Sequence, residues 1–344
     1  MWYWTLLALF CHSVQAVAVH QSDSVVEGGA LSVDGFPRMR PISSKGSKAP
    51  ITDFASMEAA AVQASSASTK AFVQAASDPV TPQGYSLVFG PTNGATGAPS
   101  FMGFIAISAY DVLTCSQLCN ARGADAVGGA CKFFNIWQAV VNGTVGQTTC
   151  AMYFTPTDAS TATNFGTPQT TVSQSRGYAR VSLLPDGGFE ALPPCARGLP
   201  FCSANGDATW TLVTTSSSSD TSSQLLRLDG AHSGTVFATI GFLDSTNTGI
   251  WTPANPINTV PGLHYVITLY HRLTGSLTSS GLSTNFAVIW NGVVVLSPRP
   301  TDFDWHYYQV QVVAVGNDVL RFQDDFSNSQ IATSAIDDIF VFQA

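Results

Sequence analysis

Glutamate occurs at only three positions, Glu27, Glu58 and Glu190. The first two lie in a stretch with few large apolar residues, so a glutamate pair for glycoside cleavage is not on offer. The aspartates of Asp302-Phe303-Asp304-Trp305 and Gln323-Asp324-Asp325-Phe326 read as strand-end turns. There is no Gly-x-Ser-x-Gly nucleophile elbow. His20, His232, His264, His271 and His306 are scattered without metal-ligand spacing. Sulfur is the more informative chemistry. Seven cysteines are present. Cys11 lies in an apolar leader, and Cys115, Cys119, Cys131, Cys150, Cys195 and Cys202 remain. An even number in an exported chain points to disulfides, and the absence of any Cys-x-x-Cys argues against a zinc ribbon or a redox motif.

The elements that must position these residues follow from pattern. Residues 1–18 open with Met-Trp-Tyr-Trp-Thr-Leu-Leu-Ala-Leu-Phe and offer small residues at cleavage spacing, as a signal peptide does. That run is too short to span a bilayer, and no later run spans one either. Residues 19–82 are rich in Ala and Ser and read as a linker or pro-segment. Residues 83–184 show strands at YSLVF, KFFNI, CAMYF and YARVS around a helix near Asp111–Ala121, with Asp111 as N-cap and Gly123 as the residue past its end. The stretch TPTDASTATNFGTPQTTVSQS reads as a long surface loop. Residues 187–344 are a succession of short alternating strands separated by Gly, Pro, Asn and Ser, which predicts a β-sandwich. Asn291-Gly292 marks a type I′ hairpin. Asn142-Gly143-Thr144 is the one glycosylation sequon and falls in a turn between strands.

Charge narrows the partners. Fourteen Lys and Arg against 22 Asp and Glu give a formal net charge of −8, with only 10% of residues charged. No basic footprint for nucleic acid can be built from that set. Strand register in the last segment is more specific. With Tyr265, Ile267 and Leu269 inward, Tyr270 and Arg272 point outward. Inward Tyr308, Val310 and Val312 leave Gln309 and Gln311 outside, and inward Leu320 and Phe322 leave Arg321 and Gln323 outside. Amide, guanidinium and phenol groups bond sugar hydroxyls or stack on a pyranose. Alternation by itself also predicts a polar outer face.

The Cys115/Cys119 pair, one helical turn apart, followed by Cys131-Lys132-Phe133-Phe134 and then Cys150, resembles the PAN/apple domain, a helix clipped to a curved antiparallel sheet. GYSLVFGPTNG, YDVLTCSQLCN, CKFFNIW and FTPTDASTATN look like repeated modules of secreted fungal proteins. The resemblance implies the nested bonds Cys115–Cys150 and Cys119–Cys131. Gly187-Gly188-Phe189-Glu190, Trp210, Asp229-Gly230-Ala231-His232-Ser233-Gly234, Pro261-Gly262, Trp305 with Tyr308, and Ile336-Asp337-Asp338-Ile339 resemble the CenC-type carbohydrate-binding jelly rolls. Cys195 and Cys202 depart from that pattern and are expected to staple the loop after Glu190. The resemblance implies a structural Ca²⁺ held by Glu190 with Asp337 or Asp338, oxygen ligands of the kind that ion takes. It also implies a glycan groove on one sheet. Tyr270 is then the sugar platform, Arg272 a fork of donors, and Trp251, in the Gly/Pro-rich run GIWTPANP, a second platform at the rim. Packing is the default for Trp210, Trp290, Trp305 and Tyr308.

These readings lead to a mainly β chain of two domains, a PAN/apple-like α+β module and a galactose-binding-like β-sandwich. It is expected to be secreted, to act at the cell wall or on extracellular polysaccharide, to bind a neutral polysaccharide or glycoprotein, and to be no enzyme. The alternatives are an adhesion or matrix protein that binds other proteins through the apple-like module, and an accessory subunit of a glycoside-hydrolysing system.

Overall fold

In the computed structural model the described residues are 78–195, 202–214, 223–241, 249–274, 286–300, 302–324 and 333–344. The expected signal peptide, and the linker as far as residue 77, lie outside them. The chain divides into two compact units between Ser182 and Leu183.

The first unit holds β1 (Tyr85–Thr92), β2 (Phe101–Ile107), α1 (Val112–Ala121), β3 (Phe133–Val141), β4 (Thr144–Tyr153) and β5 (Thr170–Arg180). All ladders are antiparallel, in the order β1-β5-β3-β4-β2. The β3–β4 hairpin turns on Asn142 and Gly143, at φ of 49° and 80°, the left-handed values that a tight Asn-Gly turn requires. Asp111 caps α1 by accepting from the N–H groups of Leu113 and Thr114 at 2.9 and 3.2 Å. Gly123 does not take the left-handed conformation expected of it. The helix ends instead at Arg122 in extended backbone. Val112, Cys115, Ser116 and Cys119 form the buried face of α1, the i, i+3, i+4, i+7 spacing of one helical stripe. Cys115 is bonded to Cys150 on β4, and Cys119 to Cys131 just before β3. The sulfurs share a core with Tyr85, Phe134 and Tyr178, where Phe134 stacks on Tyr178 at 5.0 Å. The supposed long loop is shorter than its composition suggested, because its last residues join β5 from Thr170 onward.

The second unit contains β6 (Cys202–Ala204), β7 (Trp210–Thr214), β8 (Leu225–Arg227), β9 (Val236–Ile240), β10 (Gly249–Pro253), β11 (His264–Thr274), β12 (Phe286–Trp290), β13 (Val293–Leu296), β14 (His306–Val313), β15 (Leu320–Asp324) and β16 (Thr333–Gln343). They form two sheets, a five-stranded one in the order β13-β12-β15-β10-β7 and a six-stranded one in the order β14-β11-β16-β9-β8-β6. Inward residues of both sheets build one core, among them Trp210, Trp251, Ile267, Leu269, Val310, Phe322 and Ile336. This is the β-sandwich expected of alternating strands. The Asn291-Gly292 turn has φ of 51° and 81°. Cys195 is bonded to Cys202. Among the described residues no helix is long and apolar enough to cross a membrane.

Candidate functional site

The expected inward set on β11 and β14 does face the core: Tyr265, Ile267, Leu269, Val310 and Val312 all belong to it. The outward residues do not form one strip. Tyr270 and Arg272 on β11 lie beside Gln309 and Gln311 on β14, with Tyr270 opposite Tyr307, Thr268 opposite Gln309, and Val266 opposite Gln311. Arg321 and Gln323, however, sit on β15, which pairs with β10 and β12 in the five-stranded sheet. They lie in the other sheet of the sandwich. Register fixes which way a side chain points, but strand order decides which sheet carries it.

Two platform candidates are corrected. Tyr270 points outward yet is only 2% exposed, because the imidazole of His232 lies flat on its ring at 3.4 Å and 16°. Trp251 is fully buried in the core, and its indole N–H donates to the Thr239 carbonyl at 2.8 Å. Its Gly- and Pro-flanked run is not a rim loop but β10, whose five residues pair with β7 and β15.

Aromatics that do reach the outer surface are Trp305, half-buried just before β14, and Tyr307 on β14. The Trp305 indole N–H donates to the Gly230 carbonyl at 3.1 Å. The Arg272 guanidinium lies 4.6 Å from the Trp305 ring and 5.3 Å from that of Phe237, so two rings hold it in cation–π contact. Gly230, at φ 107°, passes the end of that guanidinium so closely that a Cβ there would sit 3.2 Å from Nη2. Tyr307 donates its hydroxyl to Gln309 Oε1 at 2.9 Å, which leaves the amide N–H groups of Gln309 as the donors available to a ligand. Gln311, next in the row, is exposed.

Beside this face, three of the short motifs, 187–190, 229–234 and 336–339, gather into one latch. The turn between β8 and β9 is tied to Asp337 by the N–H groups of His232 and Ser233, at 2.8 and 3.2 Å. It is tied to Asp338 by the Ser233 hydroxyl at 2.8 Å and by His232 Nδ1 at 2.6 Å. Glu190 accepts the N–H groups of Thr235 and Val236 at 2.6 and 2.8 Å and the Thr235 hydroxyl at 3.0 Å. Gly187 lies so close to β16 that a Cβ would fall 1.6 Å from the Ile339 carbonyl oxygen, which is why glycine stands there. Asp337 is pushed up to about 8, first by burial and then by the neighbouring Asp338 carboxylate, with the backbone N–H bonds opposing.

The three carboxylates expected to hold Ca²⁺ are therefore neighbours, and Asp338, Glu190 and Asp337 all approach Gly188. As placed they do not fit the ion. Calcium takes six to eight oxygens, whereas each of these carboxylates is turned onto N–H or O–H donors of the β8–β9 turn. Among the described residues no group of three His, Cys, Asp or Glu is arranged to hold a metal. The sequence reading missed His232 as the cover of Tyr270, although its place in the Gly-rich turn was the available signal.

No family model matches the chain, and no curated protein matches it. Solved structures that it resembles include a "Family 16 Carbohydrate Binding Module-2", at 15% identity and a TM-score of 0.27 over 35% of this chain and 84% of that one. A second is TmCBM61 in complex with beta-1,4-galactotriose, at 12% identity and a TM-score of 0.29 over 48% and 99% of the two chains. A third is the K2 adhesin domain of Lys-gingipain, at 16% identity and a TM-score of 0.27 over 46% and 97%. Each is a partial likeness.

Proposed function

We propose that this chain is a secreted, non-catalytic glycan-binding protein whose second unit holds a neutral polysaccharide or glycoprotein glycan against the outer face of the six-stranded sheet. The observation that carries the reading is the half-buried Trp305 packed on the Arg272 guanidinium, with Gln309 and Gln311 in line beside it on β14. A ring backed by a fixed cation is a platform for a pyranose face, and the amides supply donors and acceptors for its hydroxyls. Trp305 takes the role first assigned to Tyr270. The non-catalytic role is supported by the residue inventory, which offers neither a glutamate pair for glycoside cleavage nor a nucleophile elbow. The three disulfides and the leader-like opening support an extracellular place of action, at a cell wall or on matrix polysaccharide. The exposed sequon Asn142, at the tip of the β3–β4 hairpin, is proposed to carry a glycan of its own.

The test is a glycan array with the full chain, followed by titration of the best oligosaccharide against wild type and Trp305→Ala. Loss of the platform should cost about 1–3 kcal/mol of affinity, by analogy with base–aromatic stacking. Binding of a neutral glycan should change little with salt, since no counterions are released. A silent array, or an unchanged affinity in folded Trp305→Ala, overturns the proposal.

A further inference from the structure

The first unit contains a buried cation in a setting built around it. Arg176, on β5, has a side chain only 2% exposed. Its aliphatic stem runs beneath Gly90, where a Cβ would come within 2.6 Å of Arg176 Cγ, so the chain can cross there only as glycine. Nη1 donates to the Tyr110 hydroxyl and to Gln174 Oε1, both at 3.2 Å. The guanidinium carbon also lies 5.6 Å from the centre of the Tyr110 ring. Tyr110 in turn donates to the Gln174 carbonyl at 2.5 Å. Gln174 holds a left-handed φ of 54°, and the pairing of β5 with β3 shifts register close by, between Ile136 and Gln138. A strained non-glycine residue at a bulge is a feature that clusters at ligand clamps. The other end of the guanidinium, Nη2, is already filled by a carboxylate: Asp78 Oδ1 at 2.9 Å.

That carboxylate comes from outside the helices and strands of the unit. Asp78 precedes β1, belongs to no helix or strand, and is 89% exposed. The cation is thus fixed by tertiary structure, while its anion is held by one exposed side chain. We propose that Arg176, Tyr110 and Gln174 form a carboxylate-binding site that Asp78 fills from within the chain, and that the site takes a carboxylate of another molecule when Asp78 is displaced. The ligand class is a carboxylate small enough to meet one guanidinium edge beside a phenol, such as a uronic acid or an acidic side chain. The assignment is independent of the glycan face of the second unit.

The experiment uses the full chain carrying Asp78→Ala, titrated with sodium acetate at constant ionic strength and followed by the NMR signals of the Arg176 and Tyr110 side chains. Acetate should shift both signals saturably, with chloride inert. Acetate should bind the wild type about tenfold more weakly, because Asp78 competes as an intramolecular ligand at high effective concentration. Tyr110→Phe in the Asp78→Ala background leaves the buried arginine in place and should weaken acetate binding by removing the hydroxyl that accepts from Arg176 Nη1 and so orients the guanidinium. Methyl galacturonate and N-acetyl-aspartate amide then distinguish a sugar from a peptide source, the tighter of the two naming it. The proposal is overturned if acetate moves neither signal in folded Asp78→Ala, if chloride acts equally, or if wild type and variant bind acetate alike.

Discussion

The two units stabilise their layers by different means. In the first, a ten-residue helix lies on a sheet, and each of its two buried cysteines is bonded to a sheet or pre-sheet position, 35 and 12 residues away in sequence. In the second, the only disulfide among the described residues joins positions 7 apart and connects no element of one sheet to the other. There the sheets are held by inward side chains: His271 of the six-stranded sheet stacks on Phe286 of the five-stranded one at 4.3 Å, and the Trp251 indole of β10 donates to the Thr239 carbonyl of β9 at 2.8 Å. A short amphipathic helix buries too little apolar surface to hold itself down, and covalent closure supplies what burial does not. A sandwich with two inward faces needs no such help.

Experiments that break one unit and spare the other sharpen this contrast. The largest effect is expected from Trp251→Ala. It empties a fully buried site in the second unit and should cost about 3–5 kcal/mol, read as a shifted urea midpoint of that unit with the first unit unchanged. A shift below about 1 kcal/mol would mean that the indole does not lie in the core. Replacing Cys115 and Cys150 together by Ala should destabilise the first unit by about 3–4 kcal/mol, the value for a closed loop of that length. The same change at Cys195 and Cys202 should cost less, because the loop is shorter. Equal losses at both places would erase the contrast.

A smaller effect concerns acid. His271 is fully buried between the sheets, stacked on Phe286 at 4.3 Å, and neither ring nitrogen has a hydrogen-bond partner. Burial, with a lesser contribution from His306, lowers it to about 3 from the ordinary 6.5. The unfolded chain therefore binds a proton below about pH 6.5 that the folded chain refuses until about pH 3. Stability from this group is complete above pH 6.5 and falls as the pH drops through that window. His271→Phe should flatten the acid limb of the second unit's stability profile and leave that of the first unit as it was. An unaltered slope would place the titration elsewhere. The smallest effect expected is that of chelation. Since the carboxylates of Glu190, Asp337 and Asp338 are engaged by protein donors, EDTA should leave the melting temperature of the second unit unchanged, and a fall of several degrees would restore the calcium reading.

Much of this was legible in residue types and spacing. The Cys115/Cys119 stripe, the strand alternation from Tyr265 to Leu269 and the two Asn-Gly turns are local patterns, and each corresponds to one element with one buried face. Three strands were not legible. β2, Phe-Met-Gly-Phe-Ile-Ala-Ile, lacks polar alternation because most of it is at least partly covered. β10 is so short that its Gly and Pro flanks read as loop, and β6 is only three residues inside a run read as a stapled loop. None of these failures is one of propensity. Each strand is specified by the neighbours it pairs with.

The amino-acid sequence by itself determined which way each side chain points, because a period of two and a period of 3.6 are properties of the backbone. It also determined which cysteines a helix can present together. Only the tertiary structure decided which sheet received β15 and so carried Arg321 and Gln323 away from Gln309. It alone placed His232 over Tyr270, sank Trp251 into the core and left Trp305 at the surface. The physical reason is that exposure depends on what other segments cover, and those contacts come from residues far apart in sequence: His232 from a turn, Tyr270 from β11, and Asp337 and Asp338 from the last strand.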